Sequence, residues 1–222
     1  MHTEDIVESS LVKLWDVIHD LEKLVPAGKD FFRVSVFGSS RVKPGDAVYE
    51  DVRRLARRLA DMGCDIVTGG GPGLMEAANL GAREGNTRGV VKSFGLAIDL
   101  PLLEGKNLFL DESTLHYNFF SRLHHFVFLS SAFVAMPGGI GTLLEIVTIW
   151  QLLQVKKMTQ RPLILVGDEY HGLIRWMEGY MVPRFANAPD LQLPRIVATV
   201  DEAVPVIEGS LKEFHARMRR GV

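Results

Sequence analysis

The chain has 222 residues, of which 47% are hydrophobic and 23% are charged, and its formal net charge at neutral pH is -2. This balance excludes an intrinsically disordered or fibrous protein and is typical of a globular fold. A near-neutral charge also excludes an overall basic field that attracts nucleic acid through its phosphates, so we expect a small-molecule partner. The length suits one sizeable core, and we predict a single domain over residues 1–222.

Cys64 is the only cysteine, which excludes an internal disulfide framework and fits a reducing compartment. The first ten residues are acidic and polar, whereas a secretory signal is first basic and then apolar. No apolar run of the sequence approaches the roughly 20 residues that a membrane-spanning helix needs. We therefore expect a cytoplasmic protein that does not bind membranes.

Hydrophobic periodicity predicts strands that alternate with helices along the chain. The predicted strands are short β-branched or aromatic runs at residues 32–37, 64–67, 95–100, 107–110, 132–136, 162–166 and 196–200. The predicted helices span residues 9–24, 45–62, 74–84, 115–129, 143–155, 172–181 and 201–219. Such alternation requires right-handed crossovers and produces a parallel sheet with helices on both faces. The predicted fold class is therefore α/β, a Rossmann-like doubly wound sheet with its core over residues 32–200, a leader helix before it and a closing helix after it.

Two glycine-rich turns follow predicted strands. The first glycine turn consists of Gly69, Gly70, Gly71, Pro72 and Gly73, and the second consists of Pro137, Gly138, Gly139, Ile140, Gly141 and Thr142. In an open parallel sheet, ligands bind beyond the carboxyl ends of the strands, so both turns should face one crevice. Glycine lets backbone N–H groups approach a phosphate, and the helix after each turn adds unpaired N–H donors. One glycine cluster alone can be a tight turn without a ligand, but two together favour a phosphate site.

The motifs narrow the class of nucleotide. Neither turn matches the dinucleotide fingerprint G-x-G-x-x-G, and neither carries the lysine of G-x-x-x-x-G-K-[ST]. A mononucleotide is therefore favoured over a dinucleotide or a magnesium-bound triphosphate. The seven histidines show no metal-ligand spacing, and the adjacent His124 and His125 point in different directions on a helix. We expect neither a metal nor a cofactor.

Residues 69–76, GGGPGLME, together with residues 137–145, PGGIGTLLE, resemble the LOG family. Its members are phosphoribohydrolases that release a base from a nucleoside 5′-monophosphate. The second string fits the family pattern P-G-G-x-G-T-x-x-E in full, and the resemblance extends over residues 32–166. It includes Arg122 at the position of the family's arginine and leaves both terminal helices unaccounted for.

This resemblance implies hydrolysis of an N-glycosidic bond in an AMP-like nucleotide, with Arg122 and Glu145 as the catalytic pair. It also implies a homodimer with pockets near the subunit interface, for which the predicted helix around Trp150 is the candidate. Members are often labelled lysine decarboxylases, a reaction that needs pyridoxal phosphate on a Schiff-base lysine. The sequence supplies no motif for that chemistry.

The expected chemistry is reasonable, because cleavage of the N-glycosidic bond builds positive charge on the ribose and a carboxylate beside the sugar opposes it. Glu145 follows Thr142 by three residues in the first turn of its predicted helix, so it can reach the sugar of a nucleotide whose phosphate lies on the turn. It can also be an ordinary acid at a helix N-terminus. Arg122 can hold the phosphate, orient Glu145 or contact the departing base, while the aromatic residues around it are expected to pack in the core.

Weaker candidates complete the predicted binding site. Glu104 and Asn107 resemble a family segment that lines the pocket, although an exposed loop is an equal alternative. Ser39 follows the first strand together with Arg41 and can touch the nucleotide. Met75 and Thr148 are candidate pocket walls, and Thr142 can either cap its helix or bind a phosphate oxygen.

Two positions depart from the family pattern, because Leu123 replaces a common lysine and Leu144 replaces a common acid. They bear on which base is accepted and on the rate. A non-catalytic carrier of nucleotides or of the molybdenum cofactor is the main alternative function, and a DNA-binding module is a second. The arginines that suggest the latter lie on a solvated helix face near acids, without an aromatic platform: Arg53, Arg54, Arg57 and Arg58.

Overall fold

The computed structural model describes residues 31–99, 105–158 and 161–220. The predicted leader helix at residues 9–24 and the candidate Glu104 lie outside the described residues. From Phe32 onward the chain forms one compact unit. Among its described helices, none is long and apolar enough to cross a membrane.

The described strands form one parallel sheet of seven strands. They are β1 (Arg33–Phe37), β2 (Asp65–Thr68), β3 (Ser93–Ile98), β4 (Glu112–His116), β5 (Ala132–Ala135), β6 (Leu163–Val166) and β7 (Arg195–Val197). Their order across the sheet is β4-β3-β2-β1-β5-β6-β7. The chain therefore extends the sheet outward from β1, returns to the centre at β5 and extends it in the other direction, which confirms the doubly wound Rossmann-like prediction.

Helices cover both faces of this sheet. They are α1 (Ala47–Asp61), α2 (Leu74–Gly85), α3 (Phe119–Leu129), α4 (Ile140–Gln154), α5 (Tyr170–Met181) and α6 (Val200–Arg220). Helices α1, α2 and α6 share one apolar cluster with Val34 and Val134 of the sheet, and α3, α4 and α5 share the other with Phe133 and Ala135. Because successive side chains of a strand point to opposite faces, each central strand contributes to both clusters.

Two predicted elements differ from the structure, whereas the other described elements are present with bounds shifted by one to three residues. Residues 107–110 form a turn, and the edge strand is β4, which occupies the start of the helix predicted at residues 115–129. Its residues are mostly exposed, so it lacks the apolar alternation by which a strand is recognised. Helix α4 begins at Ile140 rather than at residue 143. The predicted start is too late because the first turn contains Gly141, and glycine has a low helix propensity.

The centre of the sheet joins two loops that are far apart in sequence. Phe37 and Ala135 are register partners at the carboxyl ends of β1 and β5. Beyond them, the N–H of Ser39 donates to the carbonyl of Pro137 over 3.1 Å. The loop after β1 and the second glycine turn therefore lie side by side, at the point where the strand order reverses.

Candidate active site

A cavity of about 890 Å³ opens at the carboxyl ends of β1, β2 and β5, and its lining includes the loop after β1 and both glycine turns. This volume lies within the range of small-molecule sites. The position is the crevice that doubly wound sheets use for ligands. The two glycine turns thus face a common cavity.

The second glycine turn leads directly into the N-terminus of α4. Gly139 is the N-cap residue, and no side chain caps this end of the helix. The N–H groups of the first helical residues have no partner within the helix, and such groups are able to bind an anion. At Gly138 a Cβ atom would overlap the side chain of Thr142, whereas at Gly139 it would meet nothing within 4 Å.

The first glycine turn uses much of its polar backbone internally. The N–H of Gly70 donates to Oγ1 of Thr68 over 2.9 Å, and the carbonyl of Gly70 accepts the N–H of Asn107 over 2.9 Å. Gly73 has a φ of +72°, and a Cβ there would lie 2.5 Å from the carbonyl oxygen of Ser39. Gly73 therefore serves the close approach of two loops and does not line the cavity.

Gly69 leaves space for the side chain of Arg122 in the cavity wall. A Cβ atom at this position would lie 2.6 Å from Nη2 of Arg122 and 2.7 Å from Sδ of Met75. The guanidinium consequently lies directly against the backbone of the first turn. Glycine leaves space for both side chains in their present positions, which gives the first turn a structural reason for its composition that is independent of any phosphate.

Arg122 from α3 and Glu145 from α4 form an ion pair in the cavity wall, with Nη2 3.0 Å from Oε1. Both side chains are largely buried. Burial raises the pKa of Glu145 to about 7, against the opposing effect of Arg122. Burial likewise lowers the pKa of Arg122, and Glu145 opposes that shift. The pair is therefore held in an environment that penalises both charges.

The remaining surroundings of Arg122 leave part of its guanidinium group unsatisfied. Its Cζ lies 5.4 Å from the ring centre of Phe126. Within the described residues, Nε of Arg122 is the buried side-chain nitrogen that lacks a hydrogen-bond partner. His116 lies close enough for Arg122 to contribute to lowering its pKa, after the larger effect of burial. An oxygen atom of a ligand or water would satisfy this donor.

The charges of the cavity favour an anion. Its described lining contains the basic residues Arg41, Lys106 and Arg122 and the acidic residue Glu145. The N-terminus of α4 adds partial positive charge, so the described part of the lining carries more positive than negative charge. Within the described residues there is no cluster of three or more His, Cys, Asp or Glu side chains that could hold a metal.

Most of the predicted site residues lie together in the cavity wall, namely Ser39, Gly69, Gly70, Gly71, Met75, Arg122, Gly138, Gly139, Ile140, Gly141, Thr142 and Glu145. Three others do not line it. Gly73 ends the first turn and packs against the loop that contains Ser39. Asn107 donates to the carbonyls of Gly70 and Gly71 from outside the cavity. Thr148 donates its hydroxyl to the carbonyl of Leu144 one turn back on its own helix. Since α4 begins at Ile140, Glu145 lies in its second turn rather than in the first.

Sequence reasoning missed several residues around the cavity. Lys106 lines it from the loop before β4, and Phe119 lines it from the start of α3, although the aromatic residues of this region were expected to pack in the core. Only Phe126 among them is fully buried. Asn79 hydrogen-bonds Thr68 and Asn107, which in turn hold the first turn. Its sequence signal is an asparagine in an alanine-rich helix, which needs hydrogen-bond partners where the helix is buried.

The raised pKa of Glu145 predicts a specific dependence of stability on pH. The folded chain holds this proton up to a pH of about 7, whereas the unfolded chain releases it near 4.5. The stabilisation is fully present below the lower value and is lost as the pH rises through the higher one. We expect the free energy of unfolding of the wild type, minus that of Glu145→Gln, to fall by about 2–3 kcal/mol between about pH 5 and pH 8 in urea denaturation.

A matched control is the ion pair of Glu84 on α2 with Arg53 on α1, which lies outside the cavity. Here the arginine's hydrogen bond lowers the pKa of Glu84, so its contribution is lost only as the pH falls through the acid range. The corresponding difference for Glu84→Gln should be flat over the same pH interval. A flat difference for Glu145→Gln as well would contradict the raised pKa.

Two family models match the chain: residues 75–207 match a family described as possible lysine decarboxylase, and residues 31–97 match the SLOG cluster4 family. A pyrimidine/purine nucleotide 5′-monophosphate nucleosidase of Escherichia coli K12 is 29% identical over 142 residues, which are 61% of this chain and 31% of that protein. The same figures hold for its counterpart in the O157:H7 strain. The chain thus spans about a third of the length of these curated relatives.

Solved structures share the fold at low identity. The molybdenum cofactor binding protein of Rippkaea orientalis has a TM-score of 0.62 and 18% identity, covering 82% of this chain and 98% of that one. The molybdenum cofactor carrier protein of Chlamydomonas reinhardtii has a TM-score of 0.60 and 18% identity, covering 82% and 99%. The match to the possible lysine decarboxylase family covers more than half of the chain, and both glycine-rich motifs contribute to the cavity lining. The chain therefore belongs to this LOG-like family, which is described as possible lysine decarboxylase.

Proposed function

We propose that the chain is a nucleoside 5′-monophosphate phosphoribohydrolase, which hydrolyses the N-glycosidic bond to give a free base and ribose 5-phosphate. The observation that carries this proposal is the buried pair of Arg122 and Glu145 in a cavity whose lining includes the N-terminus of α4. A phosphate at that terminus would bring the sugar of a small nucleotide to the carboxylate. The name of the E. coli relatives, nucleotide 5′-monophosphate nucleosidase, supports the same reaction class.

The phosphate, in this proposal, binds mainly to the second glycine turn. The N–H groups at the start of α4 have no partner within the helix, whereas the N–H of Gly70 in the first turn already donates to Thr68. Residue 72 is a proline and has no N–H to offer. The sequence predicts phosphate binding by the backbone N–H groups of both turns, and these contacts favour the second turn as its main site.

The proposed reaction builds positive charge on the ribose as in an oxocarbenium ion. Ionised Glu145 beside the sugar stabilises that charge, and a pKa of about 7 also suits removal of a proton from the attacking water. The water oxygen bonds to the anomeric carbon while its proton passes to Glu145, and the bond to the base nitrogen breaks. The base takes up the proton that Glu145 releases, so nucleotide and water give free base and ribose 5-phosphate. Arg122 orients Glu145 and binds substrate oxygen through the donors that Glu145 does not occupy.

AMP-like nucleotides are the proposed substrates, and the protein needs no metal or cofactor in this mechanism. Phe119 lines the cavity and is partly exposed, so its ring can stack on a base. The positive lining favours a mononucleotide with its doubly charged phosphate over a nucleoside. A cytoplasmic location stays a prediction.

We further propose a homodimer whose interface borders the cavity. Ile140, Leu144 and Val147 are exposed apolar residues at helical spacing on α4, and Ile140 also lines the cavity. Trp150, which the sequence suggested for this interface, is instead buried within the subunit and donates its Nε1–H to the carbonyl of Asp190. The exposed stripe on α4 is therefore the proposed two-fold contact.

Changing the catalytic pair should produce two different defects in the release of base from AMP, GMP, CMP and UMP. Glu145→Gln should lower kcat roughly a hundredfold with little change in nucleotide affinity, because the carboxylate stabilises charge present only in the transition state. Arg122→Ala should lower both kcat and affinity, since an arginine that holds an anion also acts in the ground state. Arg122→Lys should restore activity only in part, because it loses the planar fork.

The control for this experiment is Glu84→Gln, which breaks an ion pair with Arg53 outside the cavity and should leave kcat unchanged. A fully active Glu145→Gln variant would refute the proposed role of the carboxylate. A wild-type chain that binds AMP tightly but releases no base would instead favour the carrier function.

Gly139→Val tests the phosphate site. Gly139 has a φ of -93° and open space around its Cβ position, so valine should be accepted by the fold. Its side chain would stand before the N–H donors of α4 and should abolish AMP binding in calorimetric titration. The melting temperature should stay within a few degrees of wild type, and Gly139→Ala should be intermediate. Unimpaired binding by the valine variant would place the phosphate elsewhere.

The interface proposal predicts that the wild type sediments as a dimer at micromolar concentration. Charged substitutions at Leu144 and Val147, as in Leu144→Glu with Val147→Glu, should yield a folded monomer, because both side chains are exposed within the subunit. A wild type that is already monomeric would remove the interface and leave the fold untouched.

A further inference from the structure

A buried hydrogen-bond network lies behind the first glycine turn, with Asn79 of α2 at its centre. The side chain of Asn79 is fully buried. Its Oδ1 accepts two hydrogen bonds, from Oγ1 of Thr68 over 2.7 Å and from Nδ2 of Asn107 over 3.0 Å. Its Nδ2 donates to Oγ of Ser93 in β3 over 2.8 Å. One asparagine thus joins the end of β2, the neighbouring strand and the loop before β4.

This network holds the backbone of the first turn at three points. Oγ1 of Thr68 accepts the N–H of Gly70 over 2.9 Å. The carbonyl of Gly70 accepts the N–H of Asn107, and the carbonyl of Gly71 accepts Nδ2 of Asn107, each over 2.9 Å. The residues of the network, Thr68, Asn79 and Asn107, do not line the cavity, although the glycines that they hold do.

The anchored groups determine which groups of the turn remain for a ligand. In a trans peptide the C=O and the N–H point in opposite directions, and the turn contains only trans bonds. Since the N–H of Gly70 points back to Thr68, the carbonyl of Gly69 points the other way. Since the carbonyl of Gly70 points back to Asn107, the N–H of Gly71 also points the other way. The side of the turn opposite the network therefore presents one acceptor and one donor.

One acceptor beside one donor suits a sugar hydroxyl, which both donates and accepts, better than it suits a phosphate, which needs donors. We propose that Asn79 is a positioning residue of the nucleotide site, which acts through Thr68 and Asn107 to orient the peptides of residues 69–71 for binding the ribose hydroxyls. The inference rests on the proposed function. It assigns the sugar to the first glycine turn and the phosphate to the second.

The energetics support a positioning role. A buried polar group without a partner is costly, so the peptide planes cannot rotate toward another ligand without breaking several buried hydrogen bonds together. The turn is further fixed by Gly70, which has a φ of +74° and whose Cβ position lies 3.1 Å from Cα of Gly95. The ligand groups of the turn are consequently preorganised before the substrate arrives.

The test compares the binding of AMP with that of 2′-deoxy-AMP and 3′-deoxy-AMP by calorimetric titration. All variants carry Glu145→Gln, so that the nucleotides survive the titration. This parent should bind at least one deoxy analogue roughly tenfold more weakly than AMP, because the missing hydroxyl leaves groups of the turn unpaired. Thr68→Val and Asn79→Ala should each reduce this ratio to about threefold or less. Their affinity for inorganic phosphate should match that of the parent.

Two further variants separate positioning from general stability. Thr68→Ser keeps the hydroxyl that accepts the N–H of Gly70 and should retain the tenfold ratio. The comparison of Thr68→Val with Thr68→Ser therefore tests the network even where Asn79→Ala does not fold. Ser35→Ala removes a buried hydrogen bond with Ser130 outside the turns and should lower the melting temperature without changing the ratio. An unchanged ratio in Thr68→Val, or a parent that does not discriminate against either deoxy analogue, overturns the inference. Failure of the wild type to release base from AMP would instead overturn the proposed function, independently of these ratios.

Discussion

The parallel pairing of β1 with β5 is the constraint on which the cavity depends. These strands are separated by almost a hundred residues of sequence, yet Phe37 and Ala135 end as register partners. The bond from the N–H of Ser39 to the carbonyl of Pro137 continues the contact beyond the sheet. Because β2 lies on the other side of β1, the same geometry brings the first glycine turn to the cavity. Without this reversal of strand order, the two turns would face separate regions of solvent.

The proposed catalytic pair lowers the stability of the folded chain. Arg122 and Glu145 are buried. Burial lowers the pKa of Arg122 and raises the pKa of Glu145, and both shifts favour the neutral form of the side chain. Removing two charges from water costs more than a single ion pair of this kind generally returns. The unsatisfied Nε of Arg122 adds to that cost. Such a site is stabilised when an anion binds, so stability and affinity for the ligand are linked.

The two glycine turns look alike in sequence and differ in what they offer. In the second, Gly138 leaves space for Thr142 and the helix terminus supplies the donors. In the first, Gly69 leaves space for Arg122, and both backbone polar groups of Gly70 are hydrogen-bonded to other residues of the protein. A glycine run therefore indicates close packing of backbone, and the partner of that backbone can be a ligand, a side chain or another loop.

Local patterns were sufficient to predict the alternating elements, the doubly wound sheet and the two turns, because apolar periodicity and glycine act over short stretches of sequence. They failed at β4, whose exposed residues are held in the sheet by pairing with β3. The motif resemblance pointed to Arg122 and Glu145, but only the packing of α3 against α4 decides that their charged groups meet 3.0 Å apart and are largely buried. Likewise Asn79 lies in an alanine-rich helix, and only the tertiary structure brings its hydrogen-bond partners Thr68, Ser93 and Asn107 around it. The sequence by itself determined the elements and the types of chemical group, since these follow from local propensity. The tertiary structure decided which backbone groups of the first turn are already hydrogen-bonded within the protein, because that depends on contacts between segments that are distant in the chain.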